Sequence, residues 1–188
     1  MTTLLRLIAL AAVLLVTTAC RHNAFQIDGT ATGMAEGDTL LLTDDLLGYT
    51  PTDTVVITEN TFRLKGRTDS ARLCMIYAAA NTGVQALFFL EPGKIEVSLD
   101  ADGPSRVGGT EGNIAWQQLT DGLAEYERKV DAVVESFYED DMSEESMRAK
   151  TDYLRRIDDQ KAEWLRQFAE SNAGNATGRF LREQCDEF

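Results

Sequence analysis

Histidine is almost absent from this chain, His22 being the single copy, and cysteine is scarce, with Cys20, Cys74 and Cys185 alone. Catalysis by Ser-His-Asp or Cys-His needs an imidazole base, and histidine-rich metal centres need several imidazoles, so one histidine close to the N-terminus leaves these classes without their essential group. No Cys-x-x-Cys occurs, and a dithiol catalyst needs an attacking and a resolving thiol side by side. Proline is equally sparse, at positions 51, 92 and 104, so the last 84 residues contain none and are free to form long helices. Basic residues are outnumbered 18 to 31 by acidic ones, a net charge of −13 that disfavours nucleic acid and anionic head groups as partners.

One apolar run stands out, Leu7 to Val16, preceded by Arg6 and followed by Thr17, Thr18 and Ala19. A positive start, a ten-residue apolar core and small residues form a secretion signal, and the core is too short for a membrane span. The cysteine directly after Ala19 makes Thr17-Thr18-Ala19-Cys20 resemble the lipobox of bacterial lipoproteins, with Thr17 where an aliphatic residue is usual. That resemblance implies a diacylglyceryl thioether on Cys20 and acylation of the amine freed by cleavage. Cleavage by the general signal peptidase or a retained anchor are the alternatives. Two or three acyl chains, at about 0.8 kcal/mol per buried methylene, hold a protein durably on a bilayer. Arg21, His22, Asn23 and Ala24 follow, with no aspartate beside the cysteine, which by likeness to lipoprotein sorting points to the periplasmic face of the outer membrane. Loss of residues 1–19 removes one base and no acid, so the mature charge is −14.

From Phe25 the chain has the pattern of strands: short alternating or fully apolar runs between turn residues. They are Phe25–Ile27, Thr39–Thr43, Thr54–Thr58, Thr61–Lys65, Arg72–Tyr77, Val84–Leu90 and Lys94–Leu99. Glu59-Asn60 and Glu91-Pro92-Gly93 sit between alternating runs and predict hairpins. About seven strands with no helix between them predict an antiparallel sheet or sandwich.

Beyond Gly112 the period changes. Trp116, Leu119, Leu123, Tyr126, Val130, Val133 and Phe137 form one apolar stripe at steps of three and four. Glu139-Asp140-Asp141 ends it, and Ser143 before Glu144 and Glu145 is an N-cap with acids on the first turn. Met147, Leu154, Ile157, Trp164, Leu165 and Phe168 mark a second helix, stopped by Asn172–Gly174, and Gly178–Gln184 a short third. The two long helices predict an antiparallel hairpin packed on the sheet; helix-mediated oligomerisation through the stripe is the alternative. The expected fold is therefore α+β, with a signal at 1–19, a tether at 20–24, a β domain at 25–111 and a helical region at 112–188.

Several pieces resemble a known family, DUF4369, a module of Gram-negative lipoproteins that often precedes a thioredoxin-like domain. They are Phe25-x-Ile27-x-Gly29, Asp53-Thr54 with Phe62-x-Leu64-x-Gly66, Phe89-x-Glu91-Pro92-Gly93 with Ile95 and Val97, and Val107-x-Gly109-Thr110 with Asn113. The resemblance implies a β-sandwich leading into helices over residues 25–113. The family's redox cysteines have no counterpart here, so the chain reads as the accessory module by itself.

Remaining candidates carry little chemistry. Cys74 lies in an apolar run and Cys185 near the end; a bridge between them is possible in an oxidising compartment, and a buried thiol plus a terminal one is preferred. Asp100-Ala101-Asp102-Gly103 lacks the rest of a calcium loop and reads as a turn. Gly108-Gly109-Thr110-Glu111-Gly112 lacks the lysine of a phosphate cradle and reads as a flexible exit from the sheet, with Thr110 as helix cap. Asp44-Asp45, Asp140-Asp141 and Asp158-Asp159 are expected in turns or on polar faces, and Trp116 and Trp164 in the core. The expectation is a lipid-anchored, non-enzymatic envelope domain that binds a protein partner or a small ligand held in the sandwich, without cofactor or metal, whose one modified residue is Cys20. The alternatives are an accessory to thiol-disulfide exchange with a separate thioredoxin-like partner and, more remotely, a carboxylate-dependent hydrolase.

Overall fold

The computed structural model describes residues 23–139 and 143–185, with the side chains of Glu139 and Cys185 left out; Cys20, His22, Asp140 and Asp141 lie outside the described residues. It is α+β: eight strands in two four-stranded sheets, then three helices. The chain divides into two units, one ending at Asn113 and one beginning at Ile114.

In the first unit the strands are β1 (Ala24–Thr32), β2 (Thr39–Thr43), β3 (Asp53–Val56), β4 (Thr61–Arg67), β5 (Arg72–Ala78), β6 (Gln85–Leu90), β7 (Gly93–Asp100) and β8 (Arg106–Gly108). One sheet has the order β4-β1-β7-β8 and the other β3-β2-β5-β6. Alternate residues turn inward, as a two-residue period requires. Ile27, Leu40, Ile57, Ile76, Phe88, Ile95 and Leu99 are fully buried members of a single core, each contributing about 1.5–3 kcal/mol of apolar burial.

Three features differ from the sequence reading. β8 is an additional strand, too short at three residues to show a period. β1 and β7 run parallel, while every other pair is antiparallel. Parallel neighbours need a long crossover, and here the whole second sheet supplies it. Neither predicted hairpin joins neighbouring strands of one sheet, because β3 and β6 belong to one sheet and β4 and β7 to the other. Glu59-Asn60 is still a tight turn: φ is +52° and +57°, and Thr58 and Thr61 exchange backbone bonds of 2.9 and 3.0 Å. That single bridge is the whole ladder before the chain passes to the second layer.

The motif Phe-x-aliphatic-x-Gly occurs once in β1 and once in β4, and the antiparallel register sets Phe25 opposite Gly66, Ile27 opposite Leu64 and Gly29 opposite Phe62. Each phenyl ring lies across the glycine of the other strand. A Cβ on Gly29 would stand 2.0 Å from the Phe62 ring, and one on Gly66 2.6 Å from that of Phe25. The rings fill the space that the missing side chains leave on the core face.

The second unit contains most of α1 (Glu111–Glu139), α2 (Glu144–Ser171) and α3 (Ala176–Cys185). All seven stripe residues of α1 are buried or half-buried. Tyr126 stacks at 5.6 Å on Trp164, its hydroxyl donates to the Gln160 carbonyl at 3.4 Å, and Lys150 donates to the Ser136 carbonyl. These pairings run in opposite directions along the two helices, so α1 and α2 form the expected antiparallel hairpin within one chain. Ser143 caps α2, its hydroxyl accepting from the Ser146 amide at 3.3 Å. Met147, expected on the packed face, is 40% exposed; it lies in the first turn of α2, beside the connection between the two helices. Trp116 meets Phe180 of α3 edge-on at 5.7 Å.

Candidate functional site

On a strand whose inner residues fill a core, chemistry can be carried only by the outward residues, and on β4-β1-β7-β8 these form three rows. The registers align Lys65, Gln26 and Lys94; then Arg63, Asp28, Glu96 and Gly108; then Thr61, Thr30, Ser98 and Arg106. A cleft of about 830 Å³ lies over this face, with Val55 and Val56 of β3 and Val107 adding an apolar side. Val56 is 53% exposed.

Asp28 is the centre of the grid. Arg63 Nε donates to its Oδ1 at 2.5 Å, Gln26 donates to its Oδ2 at 2.7 Å, and Lys94 Nζ stands 3.6 Å from the same oxygen. Lys94 also donates to Glu96 Oε1 at 3.1 Å, and Thr30 Oγ1 to Ser98 Oγ at 3.1 Å. Asp28 and Glu96 are direct neighbours on adjacent strands, and Lys94, which reaches both, together with Arg63 on the other side of Asp28 offsets that like-charge pairing. The Arg63 hydrogen bond, with smaller help from Gln26 and Lys94, holds the Asp28 carboxyl below its usual range. The Glu96 carboxylate holds the Lys94 ammonium above its own. Both shifts move away from neutral pH. General acid-base catalysis needs the opposite displacement, toward the working pH. The arrangement is a fixed set of full charges and hydroxyls, suited to holding a polar group.

Residues singled out in the sequence are dispersed. Cys74 faces the core, is 1% exposed and free, and burial pushes its thiol pKa up; a thiolate nucleophile requires the reverse. Asp44 pairs with Arg72 at 3.2 Å. Asp45 organises its own loop, accepting from the Gly48 amide and the Thr50 hydroxyl, each at 2.8 Å. Asp158 lies on the polar face of α2, 3.6 Å from Lys161. Asp100 accepts from the Asp102 amide at 3.0 Å, which closes a turn. No cluster of three metal-ligating side chains occurs among the described residues. Trp116 and Trp164, expected in the core, are only half-buried, each against aromatic neighbours.

The glycine-rich exit from the sheet is a packed joint, which corrects the expectation of a flexible one. Gly109 has φ +88°, and a Cβ there would come within 2.2 Å of the Lys94 carbonyl oxygen. Only glycine permits that approach. Thr110 then accepts from the Asn113 amide at 3.4 Å and from its side-chain amide at 2.8 Å. Asn113 is fully buried; its Oδ1 accepts from the Phe89 amide at 2.7 Å and its Nδ2 donates to the Phe89 carbonyl at 2.9 Å. One side chain thus pairs with the edge strand β6 as a neighbouring strand would.

Sequence reasoning did not select Asp28, Arg63, Lys94 or Glu96. The available signal was their position, since each alternates with a core residue, but which outward residues share a row depends on register. The residues that carried the family resemblance, Phe25, Gly29, Phe62, Gly66, Gly109 and Asn113, are joints of the sandwich and not part of this polar grid. No curated protein and no solved structure matches the chain. A family pattern described as a domain of unknown function matches residues 25–116, which take in all eight strands and the Asn113 joint: this part of the chain is a DUF4369 domain.

Proposed function

We propose that the protein is a lipid-anchored envelope lipoprotein, held through Cys20 on the periplasmic face of the outer membrane, and that its β domain is a binding module. The ligand site is the outer face of β4-β1-β7-β8, and the ligand carries an anionic or hydroxyl-rich group. The observation behind this reading is the charge pattern of that face. Arg63, Lys65, Arg67, Lys94 and Arg106 stand at its outward positions against Asp28, Glu96 and Asp100, a locally positive surface on a chain of net charge −13. In the cleft itself Arg63, Lys94 and Arg106 stand against Asp28 and Glu96, and a local excess of one sign favours ligands of the other. The space between the sheets is filled by core side chains, which favours the open face over a ligand held inside the sandwich. Burial of Cys74 weighs against the thiol-exchange alternative.

Two measurements test the proposal. A fatty-acid probe should label the wild-type chain and not Cys20→Ala; equal labelling removes the anchor. A photo-crosslinker at Ser98 should capture a ligand in cells, and Arg63→Gln with Lys94→Gln should abolish the capture. Unchanged capture in that variant removes the outer face as the site.

A further inference from the structure

The geometry points to a membrane-docking finger in the 44–52 loop, whose Leu47 and Tyr49 enter the interface of the same bilayer that holds Cys20. This inference rests on the lipoprotein reading above and adds an orientation to it.

Two residues, Arg21 and His22, separate Cys20 from Asn23, and three steps of extended chain put the acylated cysteine within about 11 Å of the start of the β domain. The end of the sandwich at which the chain enters must therefore face the bilayer. Ala24 pairs with Arg67 at the end of β4, and the Asn23 carbonyl accepts from the Thr68 amide at 2.8 Å. β5 then starts at Arg72, and its Met75 lies opposite Thr43, the last residue of β2. Arg72 reaches back to Asp44 at 3.2 Å. The tether and the 44–52 loop thus emerge at one end, while β1 carries the opposite end about 30 Å away.

That loop is built to expose apolar side chains. Its Asp45 carboxylate accepts from Gly48 and Thr50, and the Tyr49 amide donates to the Asp45 carbonyl at 2.9 Å. Tyr77 donates to the Tyr49 carbonyl at 3.1 Å, and the two rings meet edge-on at 5.7 Å. Leu47 is left 95% exposed and Tyr49 45%. Both acids of the loop are already engaged, Asp44 by Arg72 and Asp45 by its own turn. An aliphatic tip beside a tyrosine suits the head-group boundary, where the ring stays apolar and its hydroxyl wet.

Charge agrees with this orientation. The loops and strand ends of the far end carry Glu36, Asp38, Glu59, Asp100 and Asp102 against the base Arg106, whereas at the tethered end Lys65, Arg67, Arg72 and Lys94 stand against Asp44, Asp45, Asp53, Asp69 and Glu91, a more even balance. An anionic surface repels the first group more strongly than the second.

The test uses the acylated mature chain in vesicles containing bromine-labelled lipid, in a Cys185→Ser background. An environment-sensitive dye is placed at Leu47→Cys or, as the far-end control, at the exposed Thr82→Cys. The label at 47 should be quenched by bromines near the head groups and the label at 82 should not. Equal quenching, or none at 47, overturns the finger while leaving the anchor intact. A label at 47 shielded from aqueous iodide yet untouched by bromolipid means that a protein surface, a second copy included, covers the loop, and it overturns the proposal too. A chain that mass analysis finds without acyl groups overturns both the finger and the lipoprotein reading.

Discussion

Gly29→Ala adds one methyl group to a strand and should destabilise the β domain, although alanine is ordinarily the better strand residue. The new Cβ would stand 2.0 Å from Phe62 Cζ and 2.3 Å from two further ring carbons. The ring is 4% exposed and belongs to the core cluster, so moving it aside disturbs packed neighbours. Overpacking a core of this kind costs about 1–3 kcal/mol, and the smaller backbone entropy loss of alanine returns about 0.5–1 kcal/mol. The net expectation is about 1 kcal/mol of destabilisation. Phe62→Leu costs about 1–2 kcal/mol for the packing it removes. The double variant should cost less than the sum by about 1–2 kcal/mol, because the added methyl occupies space the ring has vacated. Urea midpoints by far-UV circular dichroism at constant slope, with hydrogen exchange at β1 amides, measure all three. Additivity to within about 0.5 kcal/mol would show that the ring does not lie over Gly29, and the account of the paired motif would fail with it.

Asn113→Ala removes three hydrogen bonds of a fully buried side chain, two of them to Phe89, and should cost about 3 kcal/mol in urea unfolding; Asn113→Asp, which cannot donate, should not rescue it, and a cost below about 1 kcal/mol in either variant counts against the joint. Asp28→Asn should lower stability by about 1 kcal/mol near neutral pH. The folded carboxyl titrates below its usual range, chiefly through Arg63, so its contribution is present above the unfolded pKa and lost as pH falls through the lower folded value. Urea midpoints of wild type and variant should accordingly converge in acid, and a gap that persists there refutes the ion-pair account. In a Cys185→Ser background, Cys74 should react with a maleimide only at the rate of opening, since the thiol is buried with its pKa raised; rapid labelling of the folded chain would reopen the thiol-exchange reading.

Much of the architecture was legible because it depends on local period. Alternation marked seven of the eight strands, and the three-four stripe from Trp116 to Phe137 marked a helix whose seven apolar residues are buried or half-buried. The Ser143 cap was legible for the same reason, being a bond between a side chain and an amide three residues on. Sheet membership was not. Glu59-Asn60 and Glu91-Pro92-Gly93 look like hairpin connections, yet each carries the chain between layers, a choice made by the packing of whole sheets. The polar grid was equally hidden: Asp28, Arg63 and Lys94 are separated by 35 and 31 residues in the chain and meet only through the β4-β1-β7 register.

The sequence by itself determined the classes of chemistry left open, the order of strands and helices, and the expectation of a lipid on Cys20, because composition and short-range period are properties of the chain alone. Only the tertiary structure decided that two distant Phe-x-aliphatic-x-Gly motifs interlock, that Asn113 pairs with the edge of β6, that five cations share one sheet face, and that the loop carrying Leu47 lies at the same end as the start of β1. These depend on register and strand order, which are set where the free energy of burying both sheets at once is lowest, and no stretch of sequence contains that sum.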